Sequence, residues 1–127
     1  MQEKRPTEAE MAILGVLWSH GASTVRAVHA VLEPERGIGY TTVLKLLQIM
    51  LDKGLVERDA SKRSHVYAAS VERAAIQHAL VDDLADKAFG GSTASLVMRA
   101  LSSEHASPTD IAEVRAFLDQ LEGADEA

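Results

Sequence analysis

The chain contains no cysteine in its 127 residues. This absence excludes disulfides, thiolate metal sites, iron–sulfur clusters and cysteine nucleophiles. Aromatic residues make up only 4% of the chain, so the core must be built from aliphatic side chains. The longest apolar run, residues 11–18, falls far short of the ~20 residues of a membrane helix, and acidic residues precede it where a signal peptide would be basic. We therefore expect an unprocessed cytoplasmic protein with no membrane insertion.

Charge is distributed unevenly along the chain. Residues 1–70 have a net charge of +1 and residues 71–127 a net charge of −7, which together make the −6 of the whole chain. The total argues against a nucleic-acid partner, but a chain with a neutral-to-basic front and an acidic back can still present one positive face to a polyanion. The alternative is that both halves are simply solvated.

Capping signals and apolar spacing predict three helices at the front of the chain, followed by a hairpin. Residues 61–63 separate two short extended segments and give the hairpin a basic tip. The order helix, helix, helix, hairpin is that of a winged helix-turn-helix. The predicted boundaries are a capping box at residues 7–10 for the first helix with a stop at Gly21, a second helix from Ser23 or Thr24 to Pro34 and Gly37, a third over residues 40–53, and strands at 55–60 and 64–69.

From residue 70 onward the pattern is helical again. Ser70 is expected to cap a helix over residues 71–89, and Ser92 and Ser107 to cap two more, with a frayed tail from Gly123. Apolar residues in the last helix recur at spacings of 3, 4 and 3, a narrow seam that packs on another helix. The predicted fold class is therefore mainly α, with a winged helix-turn-helix at residues 1–70 and a three-helix module at residues 71–127.

The third helix is the candidate nucleic-acid reader. Val43, Leu46, Leu47 and Met50 form its buried face, while polar residues recur at spacings of 4, 3 and 4 on the opposite face. Short hydroxyls at the start of such a helix can contact phosphates or a thymine methyl group, and a long cation and an amide can reach base edges. The alternative is an ordinary amphipathic helix with a solvated face. The predicted DNA-binding residues are Arg26, Tyr40, Thr41, Thr42, Lys45, Gln48, Lys53, and the hairpin-tip residues Lys62 and Arg63; Asp52 shares the polar face, and Lys4 and Arg5 form either a basic arm or a disordered leader.

An ordered set of motifs resembles the BlaI/MecI family of bacterial repressors, the penicillinase-repressor family. The resemblance covers nearly the whole chain and implies a DNA-reading front half and a dimerisation module made of the three rear helices. The matching motifs are TEAE at residues 7–10, VLW at 16–18, TVRAV at 24–28, YTTV at 40–43, KGLVER at 53–58, HVY at 65–67 and FGGS at 89–92.

The resemblance also implies a mode of regulation. In antibiotic-response members of the family, a membrane sensor with a metalloprotease domain triggers cleavage of an Asn–Phe bond in the dimerisation module. The equivalent position here is Arg99-Ala100, which makes a sensor-protease system a candidate partner. Family members often have arginine where this chain has Ile49 and lysine where it has Asp52, so the operator preference is expected to differ.

A homodimer on an inverted-repeat operator is the function we expect. One small reader makes too few base contacts to find a single site in a genome, and three helices of 57 residues make a poor core alone. Loss of the dimer or its cleavage would then relieve repression. The predicted dimerisation residues are Leu84, Leu96, Val97, Leu101, Ile111, Val114 and Leu118.

Two other classes of function compete with this prediction. An enzyme or metal site would need clustered ligands, and His78 with Asp82, four residues apart on one helix, is the best pair the sequence offers. We expect no enzyme activity and no cofactor. A winged-helix protein–protein adaptor is the second alternative, although it has no need for the basic and amide residues of the third helix and hairpin together.

Overall fold

The structure is a computed structural model and describes residues 5–126, so that Lys4 of the predicted basic arm lies outside the described residues. Within that range the fold is mainly α, with six helices and a small three-stranded antiparallel sheet, which confirms the predicted fold class. The elements are α1 (Glu8–His20), β1 (Ser23–Thr24), α2 (Val25–Arg36), α3 (Tyr40–Lys53), β2 (Val56–Asp59), β3 (Val66–Ala69), α4 (Arg73–Ala88), α5 (Thr93–Leu101) and α6 (Pro108–Glu126).

Contacts along the chain divide it into two compact units, with the division between Ile76 and Gln77 inside α4. We call the described residues before this point the first unit and those after it the second unit. The predicted domain boundary between residues 70 and 71 lies earlier in the chain, and it stays a prediction.

The core of the first unit is aliphatic and lies where α1, α2 and α3 pack together with the sheet. Its fully buried side chains include Ile13 and Leu14 of α1, Val28 of α2 and Leu47 of α3. Leu46 is half-buried at the edge of this core, so the predicted inner face of α3 is slightly wider than its fully buried part. Tyr67 of β3 is 1% exposed and adds the one large aromatic side chain that the core contains among the described residues.

Local capping explains where the first two helices begin. The Thr7 hydroxyl accepts from the Glu10 amide at 3.2 Å and the Glu10 carboxylate accepts from the Thr7 amide at 2.9 Å, which completes the predicted capping box. Thr24, rather than Ser23, caps α2 by accepting from the Ala27 amide. Each bond satisfies an N–H group that the helix itself leaves without an acceptor.

The sequence led us to expect that Pro34 helps to end α2, but it does not. The helix continues through Pro34 to Arg36 and stops at Gly37, whose φ of +65° is one that glycine adopts without strain. Pro34 lies in the last turn, where the missing N–H removes a single bond, and the Gly37 amide closes that turn on the Glu33 carbonyl at 2.9 Å.

The sheet has the order β1-β3-β2 and contains one strand that the sequence did not predict. The strands of the hairpin are shorter than predicted, at Val56–Asp59 and Val66–Ala69, and pair antiparallel. Strand β1 pairs with β3 through Ser23↔Tyr67 and Thr24↔Val66. This pairing attaches the segment just before α2 to β3, the second strand of the hairpin. We call the whole hairpin (residues 56–69) the wing.

Two helix ends in the rest of the chain differ from the prediction. Ser70 does not cap α4: its hydroxyl donates to the Gly54 carbonyl at 2.8 Å, and the helix begins only at Arg73. The Trp18 indole N–H donates to the Val71 carbonyl at 3.0 Å, so tertiary bonds hold this stretch outside the helix. At the other end of the chain, α6 continues through Gly123 to Glu126 instead of fraying.

The second unit contains little buried apolar surface. Among its described side chains, Ala85 alone is buried, at 4% exposure. Ser92 caps α5 by accepting from the Ser95 amide, and Ser107 and Asp110 exchange hydrogen bonds at the start of α6.

None of the described helices combines the length and the apolar character that crossing a lipid bilayer requires.

Candidate nucleic-acid interface

Helix α3 presents a polar stripe on the side opposite the core. Thr41, Thr42, Lys45 and Gln48 are all exposed, and Asp52 continues the stripe into the last turn. Gly39, at the N-cap, has no side chain that could accept from the first N–H groups of the helix. These N–H groups and the two threonine hydroxyls place several hydrogen-bond donors at one end of the stripe, where an anion is favoured.

A surface cavity of about 350 Å³ brings together residues from three elements of the first unit. Arg26 enters it from α2, Tyr40 from α3, and Arg63 from the wing. The Thr24↔Val66 pairing explains this convergence, because it fixes the start of α2 beside the start of β3. The full lining is Thr24, Val25, Arg26, Tyr40, Leu44, Arg63, Ser64 and His65.

The predicted DNA-binding residues include neither Ser64 nor His65, although the sequence does place His65 in the wing, where it could contact a neighbour or a phosphate. Their position beside Arg26 depends on β1, a strand of two residues with no alternation to detect. The sequence signal for their position was the short polar segment between residues 59 and 66, which must turn back on itself to join the two strands of the hairpin. The cavity therefore adds two polar side chains to a site whose two arginines the sequence did predict.

The tip of the wing is shaped by a local turn. The Asp59 carboxylate accepts from the Ser61 hydroxyl at 2.6 Å and from the Ser61 amide at 2.9 Å. These two bonds, the hydroxyl bond first, hold the pKa of Asp59 below its ordinary value, and Lys62 nearby adds to the effect. The turn leaves Lys62 and Arg63 exposed at the tip.

Tyr40 has a neighbour that orients its ring. The His29 ring of α2 lies 5.9 Å away, centroid to centroid, in an edge-to-face arrangement with an interplanar angle of 77°. Tyr40 is nevertheless 45% exposed, so one side of the ring is available at the entrance of the cavity. The contact favours this orientation of the Tyr40 ring.

Lys53 does not join the other predicted DNA-binding residues on this face. Its ammonium group lies 2.7 Å from Oε1 of Glu10, whose side chain is 2% exposed, and it also donates to the Arg5 carbonyl at 3.4 Å. We therefore leave Lys53 out of the proposed DNA contacts. Arg5 itself is exposed.

The predicted dimerisation residues lie in the second unit at the surface or half-buried. Leu84, Val97 and Leu118 are exposed, at 51%, 40% and 52%. Arg99 and Ala100 are exposed in the last turn of α5. The remaining predicted residues, Leu96, Leu101, Ile111 and Val114, are half-buried.

The best candidate pair for a metal site in the sequence is exposed. His78 and Asp82 both lie on the surface of α4. Among the residues the structure describes, no three histidine, aspartate or glutamate side chains come together as metal ligands.

Three packed helices, a basic wing and a polar stripe on the third helix define a winged-helix DNA-binding protein. The family model of the penicillinase repressor matches residues 6–120. The chain therefore belongs to the penicillinase repressor family, which confirms the resemblance seen in the sequence. This family consists of DNA-binding transcriptional repressors rather than enzymes.

Two relatives found by sequence agree with this assignment. The chain is 33% identical to the transcriptional regulator BlaI of Mycobacterium tuberculosis over 91% of this chain and 83% of that protein. It is 21% identical to the methicillin resistance regulatory protein MecI of Mammaliicoccus sciuri over 90% of this chain and 93% of that one. A crystal structure of a transcriptional regulator from Thermotoga maritima matches with a TM-score of 0.47 and 17% identity, covering 94% of this chain and 76% of that one.

Proposed function

We propose that this chain is a cytoplasmic homodimer that represses transcription by occupying an inverted-repeat operator on double-stranded DNA. The observation that carries the proposal is the shared position of Arg26, Tyr40 and Arg63 around one cavity, together with the exposed polar stripe of α3. A helix with this stripe suits the major groove, and cations beside it suit the flanking phosphates. Lys45 and Gln48 are the side chains of α3 with the reach and the donors for base edges.

Exposed apolar side chains in the second unit support a dimer. Met98, Phe117 and Leu118 are 61%, 56% and 52% exposed, respectively. Burying a large apolar side chain is worth about 1.5–3 kcal/mol, so a partner that covers several of them gains substantial free energy. A second copy of the chain is the partner that the repressor function requires, since it doubles the number of base contacts.

Symmetry then dictates the form of the operator. A two-fold protein presents two copies of α3 that are related by rotation, so its half-sites must be inverted. The two helices must enter major grooves one helical turn, or a multiple of it, apart. We expect the selected DNA sites to show both the inversion and this spacing.

Derepression follows from losing the link between the two readers. The bond between Arg99 and Ala100 is exposed and lies in the last turn of α5, a helix of nine residues. A helix this short opens at low cost, and a protease needs an extended substrate. Cleavage there would separate α6 from the DNA-binding residues, and a membrane sensor-protease is the partner that the family resemblance suggests.

Selection from a random pool of DNA duplexes tests the proposal. We expect the purified protein to enrich one inverted repeat, and sedimentation to show a dimer at the protein concentrations used. A monomer that prefers no duplex at moderate ionic strength would contradict the proposal and favour a protein–protein adaptor. The double variant Lys45→Ala with Gln48→Ala provides the control, because it should lose the sequence preference while keeping the dimer.

A further inference from the structure

The first unit exposes very little large apolar surface, and what it exposes lies on α3. Among its described residues the exposed large apolar side chains are Tyr40, at 45%, and Ile49, at 38%. The edge contact with His29 and the cavity account for the position of Tyr40. Nothing comparable accounts for Ile49, which follows Lys45 by one helical turn and precedes Asp52 by another.

Neither core packing nor helix stability explains an isoleucine at this position. The core side of α3 is formed by Val43, Leu47 and Met50, which are 0% exposed, whereas Ile49 lies at the border of the polar stripe. Isoleucine is also a weaker helix former than alanine, lysine or glutamine, because its branched side chain loses rotamer freedom. A single exposed isoleucine is ordinary on a protein surface, but this one borders the polar stripe, where it is placed for an apolar contact with a ligand of α3.

Among base edges in the major groove, only thymine offers an apolar group, its C5 methyl. We propose that Ile49 is a specificity-determining residue that packs against the C5 methyl of one thymine in each operator half-site. The inference rests on the proposed function, since it requires α3 to enter the major groove.

The same contact would reject a cytosine at that position. Cytosine lacks the methyl group and presents its N4 amino donor to the groove instead. Facing the aliphatic side chain of Ile49, that donor would lose water without gaining an acceptor. The preference for thymine would therefore combine an attraction and a penalty.

Replacing single thymines by uracil tests this contact, because uracil lacks only the methyl group. In the selected operator each thymine of one half-site is replaced in turn, and the affinity of the wild-type dimer is measured for each duplex. We expect about fourfold weaker binding at one position, the value of burying one methyl group. The variant Ile49→Ala should show no loss at that position, while Gln77→Ala, an exposed side chain of α4 outside the proposed contacts, should keep the fourfold loss. Thermal unfolding followed by circular dichroism checks that both variants are folded.

Two results would overturn the inference in different ways. If wild type and Ile49→Ala respond equally to uracil at every position of a selected operator, the contact is absent while the repressor function stands. If the pool yields no preferred duplex, the proposed function fails and the inference fails with it. Recovery of binding when 5-methylcytosine replaces cytosine at the same position, in wild type but not in Ile49→Ala, would support the methyl contact independently.

Discussion

Lys53, the last residue of α3, donates to Glu10 of α1 across 2.7 Å, and the two side chains are 20% and 2% exposed. The same Oε1 atom of Glu10 accepts from the Thr7 amide, so one carboxylate oxygen both caps α1 and holds the end of α3. The buried carboxylate needs both partners because an isolated charge in the core is costly. The position of the proposed DNA-reading helix thus depends on a bond at the end farthest from its first turn.

Replacing Lys53 with methionine should destabilise the protein. The change leaves the Glu10 carboxylate buried without its counter-ion, and we expect the free energy of unfolding to fall by about 3 kcal/mol in urea denaturation. Glu10→Gln should cost less, because Lys53 is partly exposed and can turn to water, and because glutamine also completes a capping box. Equal losses in the two variants would contradict this account of the pair.

The salt dependence of DNA binding distinguishes this role of Lys53 from a phosphate contact. A residue that neutralises one phosphate contributes about 0.9 to the slope of log affinity against log salt concentration. At temperatures where Lys53→Met is folded, we expect its slope to equal that of wild type. A decrease by about 1.8, one phosphate contact from each protomer of the dimer, would return Lys53 to the DNA-binding residues.

Unlike Lys53, the wing cations Lys62 and Arg63 are expected to contribute to the salt dependence of DNA binding. Replacing Lys62 and Arg63 by alanine should weaken binding to all duplexes alike and reduce the salt slope by about 3.6, since each protomer of the dimer loses two phosphate contacts. The double variant Lys87→Ala with Arg115→Ala removes the same charge from α4 and α6 and should leave the slope unchanged. A change of sequence preference in the wing variant would contradict its assignment to phosphates.

Local signals in the sequence predicted the helices well and missed the contacts that depend on folding. The bounds of α3 followed from its apolar spacing and from Gly54, whose φ of +82° ends the helix. Strand β1 was missed because it has two residues and exists only through its pairing with β3. Ser70 was misassigned because a serine hydroxyl that can accept at a helix N-cap can also donate, as this one does to the Gly54 carbonyl.

The candidate site likewise contains residues that the sequence predicts and residues whose position only the folded structure shows. The exposed stripe of α3 follows from helix periodicity, so residues such as Lys45 could be assigned from spacing alone. Lys53 and its partner Glu10 are 43 residues apart in the sequence, and no periodicity connects the two positions. The cavity residues Ser64 and His65 depend on how the wing lies against α2, which β1 determines.

A charge on the seam of α6 should separate the dimer. Leu118→Asp places a carboxylate where the proposed interface needs an apolar side chain, and we expect at least a hundredfold weaker dimerisation by sedimentation. Operator binding should weaken with it, because the two readers are no longer linked. Ala116→Asp adds the same charge on the opposite side of α6 and should keep the dimer. Equal effects of the two variants would contradict the assignment of the seam.

The turn at the wing tip should loosen in acid. Hydrogen bonds from Ser61 lower the pKa of Asp59, so their stabilising effect is full above the unfolded-state pKa and is lost as pH falls through the lower, folded-state pKa. Ser61→Ala removes the hydroxyl donor and should raise the pKa of Asp59 toward its ordinary value, which an NMR titration of the carboxyl group measures. Ser64→Ala, which changes a hydroxyl elsewhere in the wing, should leave that pKa unchanged. An unchanged titration in Ser61→Ala would show that the amide bond alone holds the carboxylate.

The wild-type residue Asp52 is expected to lower the affinity of the protein for every duplex. It is exposed at the end of the polar stripe, so its carboxylate would face the negative potential of DNA bound as proposed, and it lies in the last turn of α3, where the helix dipole also disfavours an anion. Asp52→Asn removes the charge with little change of shape, and we expect severalfold tighter binding to all sequences at low salt, with a smaller gain at high salt. Asp119→Asn makes the same replacement on α6 and should leave DNA affinity unchanged. If Asp52→Asn instead weakens binding to the selected operator alone, the carboxylate accepts a hydrogen bond from a base, and cytosine N4 is the donor in the major groove that it would read.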